Sequence, residues 1–104
     1  MPTYVMLTRL SPEAVRSPAD VKRLSDVVAR RVRRDCPDVR WNLNLAILGP
    51  CDYLDVFDAP DEASAARVAA IVRSFGHGQT ETWCALTWKR YEKLLSTGRR
   101  PRRH

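Results

Sequence analysis

Apolar and polar positions change period repeatedly along this chain, and each change marks an element. Thr3 to Arg9 alternates at period two, with Val5 and Leu7 on one face and Tyr4, Met6 and Thr8 on the other, and reads as a first strand. Leu10 to Arg16 is a connection containing Ser11-Pro12, with room for a short turn of helix. Ser17-Pro18-Ala19-Asp20 then supplies a capping hydroxyl, a proline at the first helical position and an acid at the third. From there Val21, Leu24, Val28 and Val32, with Val27 beside them, recur at spacings of 3, 4 and 4, which predicts a helix to about Arg34. Arg30, Arg31, Arg33 and Arg34 crowd its last turns, where cations oppose the negative helix end, and Pro37 stops it.

Val39 to Leu48 alternates again, with Val39, Trp41, Leu43, Leu45 and Ile47 on one face and Arg40, Asn42, Asn44, Ala46 and Leu48 on the other. Gly49-Pro50 is turn chemistry, because glycine accepts positive φ and proline fixes its own. Tyr53 to Phe57 returns as a strand, with Leu54 and Val56 on one face and Tyr53, Asp55 and Phe57 opposite. Pro60-Asp61-Glu62 opens a second helix whose buried stripe is Ala65, Val68, Ala69, Ile71, Val72 and Phe75, and Gly76 or Gly78 ends it. Thr80 to Thr87, rich in Thr and Trp, reads as the fourth strand. Trp88, Tyr91 and Leu95 then fall at spacings of 3 and 4, which predicts a short C-terminal helix over 88–95.

The order βαββαβ predicts an α+β, ferredoxin-like fold: a four-stranded antiparallel sheet with two helices on one face, followed by the short C-terminal helix. Val5, Leu7, Leu54 and Val56 are assigned to the helix-covered face, against the two helix stripes. The other face then carries Tyr4, Met6, Leu48, Tyr53, Phe57 and either Trp83 or Leu86, more apolar surface than a monomer exposes. A second copy of the sheet packed against the first covers it, so the expected assembly is a homodimer or a higher multiple of the dimer.

Length adds one constraint: 104 residues make a single domain, read as 1–97, with a basic tail at 98–104. At 44% apolar and 29% charged residues, wholesale disorder is excluded. No apolar run approaches the ~20 residues of a membrane span, and Met1-Pro2-Thr3-Tyr4-Val5 has no basic stretch leading into an apolar one, so a cytoplasmic protein is expected. Cys36, Cys51 and Cys84 form no C-x-x-C pair, which removes the main support for a zinc site or a redox dithiol and suits reduced thiols. The net charge of +6 sits in two places: the last seven residues hold four Arg and no acid, and Asp20 to Arg34 hold six bases against two acids. The rest of the chain is net acidic, so nucleic acid is expected only as a weak associate of the helix and tail.

Four stretches, in this order, carry a family resemblance: Pro2-Thr3-Tyr4-Val5-Met6-Leu7-Thr8, the hairpin Leu48-Gly49-x-x-Asp52-Tyr53, the exit Ala59-Pro60-Asp61, and Thr80-Glu81-Thr82. Over residues 2 to 87 the chain resembles the GYD-domain family of the dimeric α/β-barrel superfamily. That resemblance implies a ferredoxin-like dimer whose two sheets close a barrel around an inner cavity. Cys51 stands where the family's name motif usually has Tyr, so any role of that phenol is lost here or falls to Tyr53. The family brings no settled chemistry with it, and the superfamily hosts many activities.

Tyr4, Asn42, Asn44, Tyr53 and Asp55 are assigned to the face away from the helices. Closed over by a partner sheet, they orient a small ligand; alternatively they bond one another or water across the interface. Asp52 has two readings, a general base or a turn brace accepting backbone N–H groups. The brace is favoured, because no His, Lys or second acid accompanies it. Cys51 lacks an adjacent base, Cys84 reads as core filling and Cys36 as a semi-exposed bystander. His77, the one histidine within the domain, has no second ligand at metal spacing, so no metal and no cofactor is expected. Trp41, Trp83 and Trp88 read as core and interface rather than base-stacking platforms. No catalytic constellation is recognisable. The expected function is a small dimeric α/β barrel holding a small molecule between its two sheets; the alternative is a non-catalytic interaction or scaffold dimer.

Overall fold

A computed structural model describes residues 1–14, 16–75 and 78–98. The elements are β1 (Thr3–Leu10), a 3-10 turn (Pro12–Ala14), α1 (Pro18–Asp35), β2 (Arg40–Ala46), β3 (Tyr53–Asp58), α2 (Glu62–Ser74), β4 (Gly78–Ala85) and α3 (Trp88–Gly98). Local chemistry sets the helix starts. Ser17 Oγ accepts the Asp20 N–H at 3.2 Å with Pro18 behind it, and the Asp61 carboxylate accepts the Ser64 N–H at 2.9 Å. Asp61 is therefore the cap of α2, and the helix itself begins at Glu62. His77 and the arginine tail beyond residue 98 lie outside the described residues.

The strands run in the order β2-β3-β1-β4, every pair antiparallel, which is the ferredoxin-like topology. Tyr4 pairs with Phe57 and Cys84, Met6 with Asp55 and Thr82, and Thr8 with Tyr53 and Thr80. Cross-strand partners share a face, and this face is the one the helices cover. Phe57 is 0% and Met6 1% exposed, and Tyr4, Met6 and Phe57 form one cluster with Val32 and Cys36 at the end of α1 and Ala65, Val68, Ala69 and Ile71 of α2. Phe57 lies between two rings, Tyr4 at 5.7 Å and Trp41 at 4.9 Å centroid distance.

The two faces are thus exchanged relative to the sequence assignment: Tyr4, Met6, Tyr53, Asp55 and Phe57 point toward the helices, and Val5, Leu7, Leu54 and Val56 lie on the open side. Alternation separates the two sets but does not say which is covered. The volumes do. Ala65 and Ala69 of α2 leave room beside Val68 and Ile71, and the large Phe57, Met6 and Tyr4 side chains from the strands fill it.

A bulge in β2 produces the second departure. Trp41 is opposite Phe57 and Leu43 opposite Val56, so one extra residue, Asn42, is accommodated between them. Trp41 and Asn44 consequently share the helix face, while Leu43 and Leu45 turn to the open face. Asn42 follows the open face too, where it joins the Thr3 hydroxyl in holding the Asp58 carboxyl below its usual range. Asn42 and Asn44 therefore do not share a face.

Leu48 is past the end of β2 and fully exposed, not part of a sheet face. Cys36 is buried, because its N–H bonds Val32 O at 2.8 Å and turns the chain under α1, whereas Cys84, on edge strand β4, is exposed. The open face presents Leu43, Leu45 and Trp83 to solvent beside half-buried Val5, Leu7, Leu54 and Val56. No helix among the described residues is long and apolar enough to cross a membrane.

Candidate functional site

Above the β1–β3–β2 part of the helix face, α1 leaves a gap. A cavity of about 360 Å³ lies between it and the sheet, walled by Leu24, Val28 and Val32 of α1 and by Val39, Val72 and Phe75. Its polar lining is concentrated on the strands: Thr8 of β1, Trp41 and Asn44 of β2, Tyr53 and Asp55 of β3. The volume lies in the range of small-molecule sites, and the mix of apolar wall with a few convergent polar groups is the usual composition of one.

Asp55 is the central group. It is 6% exposed, and burial pushes its carboxyl above the usual carboxylate range, opposed by hydrogen bonds from Asn44 and Trp41. Both donors converge on the same oxygen: Asn44 Nδ2 and Trp41 Nε1, the latter at 3.4 Å, donate to Oδ1. The other oxygen, Oδ2, takes no hydrogen bond from the described residues. The bulge makes this convergence possible, because Trp41 and Asn44, three apart, share a face only in a strand with an inserted residue. Beside it, burial first and the charges of Asp52 and Asp55 second raise the Tyr53 phenol, so it stays an O–H donor at neutral pH. The Cys36 thiol on the cavity wall is likewise raised by burial, which makes it a poor nucleophile.

Of the six residues singled out from sequence, Asn44, Tyr53 and Asp55 come together on the cavity. Tyr4 shares their face but is packed against Phe57 in the core. Asn42 is on the opposite face. Asp52 is in the loop before β3 and ties three strands: its Oδ2 accepts the Leu10 N–H at 2.6 Å, its N–H donates to Thr8 O at 2.8 Å, and its carbonyl accepts the Ile47 N–H at 2.8 Å. It does accept a backbone N–H, but from the end of β1, 42 residues away, rather than from its own turn. Sequence reasoning missed Trp41 and Thr8. Thr8 carried a signal, a polar residue in register with Tyr4 and Met6; Trp41 carried none, since nothing in the alternation marks the bulge. Among the described residues no group of His, Cys, Asp and Glu could hold a metal ion.

The GYD domain profile matches residues 4–95. The chain belongs to the GYD domain family. A relative, the glutamine synthetase and cystathionine beta-lyase binding protein of Thermus thermophilus, is 31% identical over 86 residues, covering 79% of this GYD protein and 85% of that one. Among solved structures, the Arabidopsis thaliana protein At3g17210 superposes with a TM-score of 0.53 at 11% identity, over 84% of this chain and 95% of that one. The C-terminal domain of the Mycobacterium tuberculosis MgtC protein superposes at 0.50 and 10% identity, over 81% and 86%. At such identities the two structures speak to the fold alone, the ferredoxin-like α+β arrangement described above.

Proposed function

We propose that this GYD protein binds a small molecule within each protomer, in the cavity between α1 and the sheet, and acts as a homodimer joined through its open sheet face. The observation that carries the binding reading is Asp55: a buried carboxylate with one oxygen held by Asn44 and Trp41 and the other left without a protein donor. Oδ2 faces the cavity as an acceptor with no donor from the described residues, so a ligand that donates to it is favoured over one that cannot. The expected ligand has an apolar body and one N–H or O–H donor. The exposed Leu43, Leu45 and Trp83 support the dimer, and three free thiols support a cytoplasmic setting.

The test is thermal shift with ring compounds offered as N–H and N-methyl pairs, indole and N-methylindole among them, on wild type and on Asp55→Leu. The donor-bearing member should raise the melting temperature more in wild type, and the difference should vanish in the variant. A panel in which no pair is discriminated refutes the reading. A protein partner is the second reading, favoured by the name of the Thermus relative; titration with glutamine synthetase tests it.

A further inference from the structure

The cavity beneath α1 has a closed end and a mouth. On β1 Thr8 is 4% exposed and on β3 Asp55 is nearly as buried, whereas on edge strand β2 Trp41 reaches 38% and Asn44 is exposed. The closed end is therefore at β1 and the mouth at β2. Helix α1 forms the other lip. Its Leu24, Val28 and Val32 wall the interior, and one step round the helix Ser25, Ala29 and Arg33 recur four apart, all exposed and all bordering the cavity. Ser25 and Ala29 are short, so over that turn nothing on the row reaches across to β2 and the mouth stays open. Arg33 is the exception, a guanidinium on a stem long enough to lie over the opening.

Arg33 is also uncommitted. Its neighbours Arg31 and Arg34 both bind Asp35, at 2.7 and 3.0 Å, and the acids earlier in α1 pair with Lys22 and Arg23. Among the described residues no carboxylate pairs with Arg33, and it is the one Lys or Arg on the cavity lining. The two ends of the cavity thus ask for opposite groups. Asp55 Oδ2, inside, is an acceptor that takes no donor from the described residues. Arg33, at the mouth, is a charged donor with no acceptor. An anion turned inward would meet the Asp55 carboxylate, so it belongs at the mouth. One planar guanidinium matches a carboxylate fork to fork, whereas a phosphate dianion calls for a second cation that the lining does not offer.

We propose that the ligand of this cavity is an amphipathic carboxylic acid, with an N–H or O–H on Asp55 at its inner end, an apolar body between α1 and the sheet, and its carboxylate held by Arg33 at the mouth. This rests on the ligand reading above and adds the outer end of the molecule to it.

Isothermal titration calorimetry on the full chain tests it with three probes: indole-3-propionate, its neutral amide, and N-methylindole-3-propionate. The proteins are wild type, Arg33→Gln, Arg30→Gln and Asp55→Leu. Arg30 carries the same charge on the same helix but does not border the cavity. Both arginines are exposed and Gln is a good helix former, so circular dichroism should report folded protein for R33Q and R30Q. Wild type should bind the acid about threefold to tenfold more tightly than the amide, a modest factor because the contact is exposed to solvent. R33Q should abolish that preference and R30Q should keep it. D55L should keep it too, while losing the discrimination against the N-methyl compound. An equal preference in wild type and R33Q refutes the Arg33 contact. So does its loss in R30Q, which would assign the attraction to the charge of the whole helix. Loss of the preference in D55L refutes the two-ended pose. If acid and amide bind wild type alike while the N-methyl compound is still rejected, the anionic end is refuted and the donor reading stands. If none of the three probes binds, both fall.

Discussion

Replacing Asp52 by Ala removes the carboxylate that receives the Leu10 N–H at 2.6 Å, a bond joining the loop before β3 to the end of β1. Hydrogen bonds to a charged group contribute about 1.5–3 kcal/mol net, and the site is half-buried, so water replaces part of what is lost. The lower half of that range, about 1.5–2 kcal/mol, is the expected cost. The Asp52 N–H and carbonyl keep their own partners, Thr8 O and the Ile47 N–H, so the loop should hold its course. For a domain of this length the loss corresponds to a melting temperature lower by roughly 6–12 °C. Asn at the same position keeps one carbonyl acceptor and should cost under about 1 kcal/mol. Urea unfolding followed by circular dichroism, at unchanged slope, measures both. An Ala variant within about 0.5 kcal/mol of wild type refutes the brace, and so does an Asn variant as damaged as the Ala one.

Phe57→Ala, at a fully buried residue stacked between Tyr4 and Trp41, should cost about 3–5 kcal/mol of unfolding stability. Leu54→Ala, on the open face, should instead act mainly on dimer dissociation; the reverse ranking in urea and sedimentation measurements would return the faces to the sequence assignment. Asp55→Asn tests the buried charge. Because folding raises the Asp55 carboxyl above its unfolded value, its ionisation destabilises the fold as pH rises from the ordinary carboxylate range through the raised value. Asn removes that loss, so the gain of the variant over wild type should be small at pH 4 and larger at pH 7. Asp35, Asp58 and Asp61 are shifted downward and contribute the opposite slope, but equally in both proteins. An equal gap at the two pH values speaks against the assignment.

Elements and topology were legible because the residues that make them act locally. Ser17 and Asp61 cap helices through bonds to residues three positions on, and the 3-4-4 stripe of α1 needs no knowledge of its neighbours. The covered face was not legible from strand alternation, since Val5 and Leu7 are as apolar as Tyr4 and Met6. It is decided by the small residues of α2, on a different part of the chain. The bulge at Asn42 left no trace in residue type and reversed the phase of β2 midway, which parted Asn42 from Asn44. The polar cluster of Asn44, Tyr53 and Asp55 survived the exchange of faces, because pairing across β2 and β3 holds its members together whichever side they point to. The cavity beside that cluster lies on the helix face, which the sequence assignment had filled. It follows from how α1 stands off the sheet, a distance that no periodicity encodes.

The bulge also bears on how the protein behaves when crowded. β2 is an edge strand, fully exposed and with Leu43 and Leu45 among its residues, and such an edge ordinarily invites another strand to add to it. An inserted residue leaves a backbone group out of step and twists the edge, so the even row of donors and acceptors that an incoming strand needs is interrupted at Asn42. The apolar side chains of β2 remain available to a surface laid on top of them, while strand addition along the β2 edge is hindered. One residue thus separates contact on top of the sheet from ribbon extension at its β2 edge. A chain lacking Asn42 should show it as turbidity and thioflavin binding at concentrations where the parent stays clear.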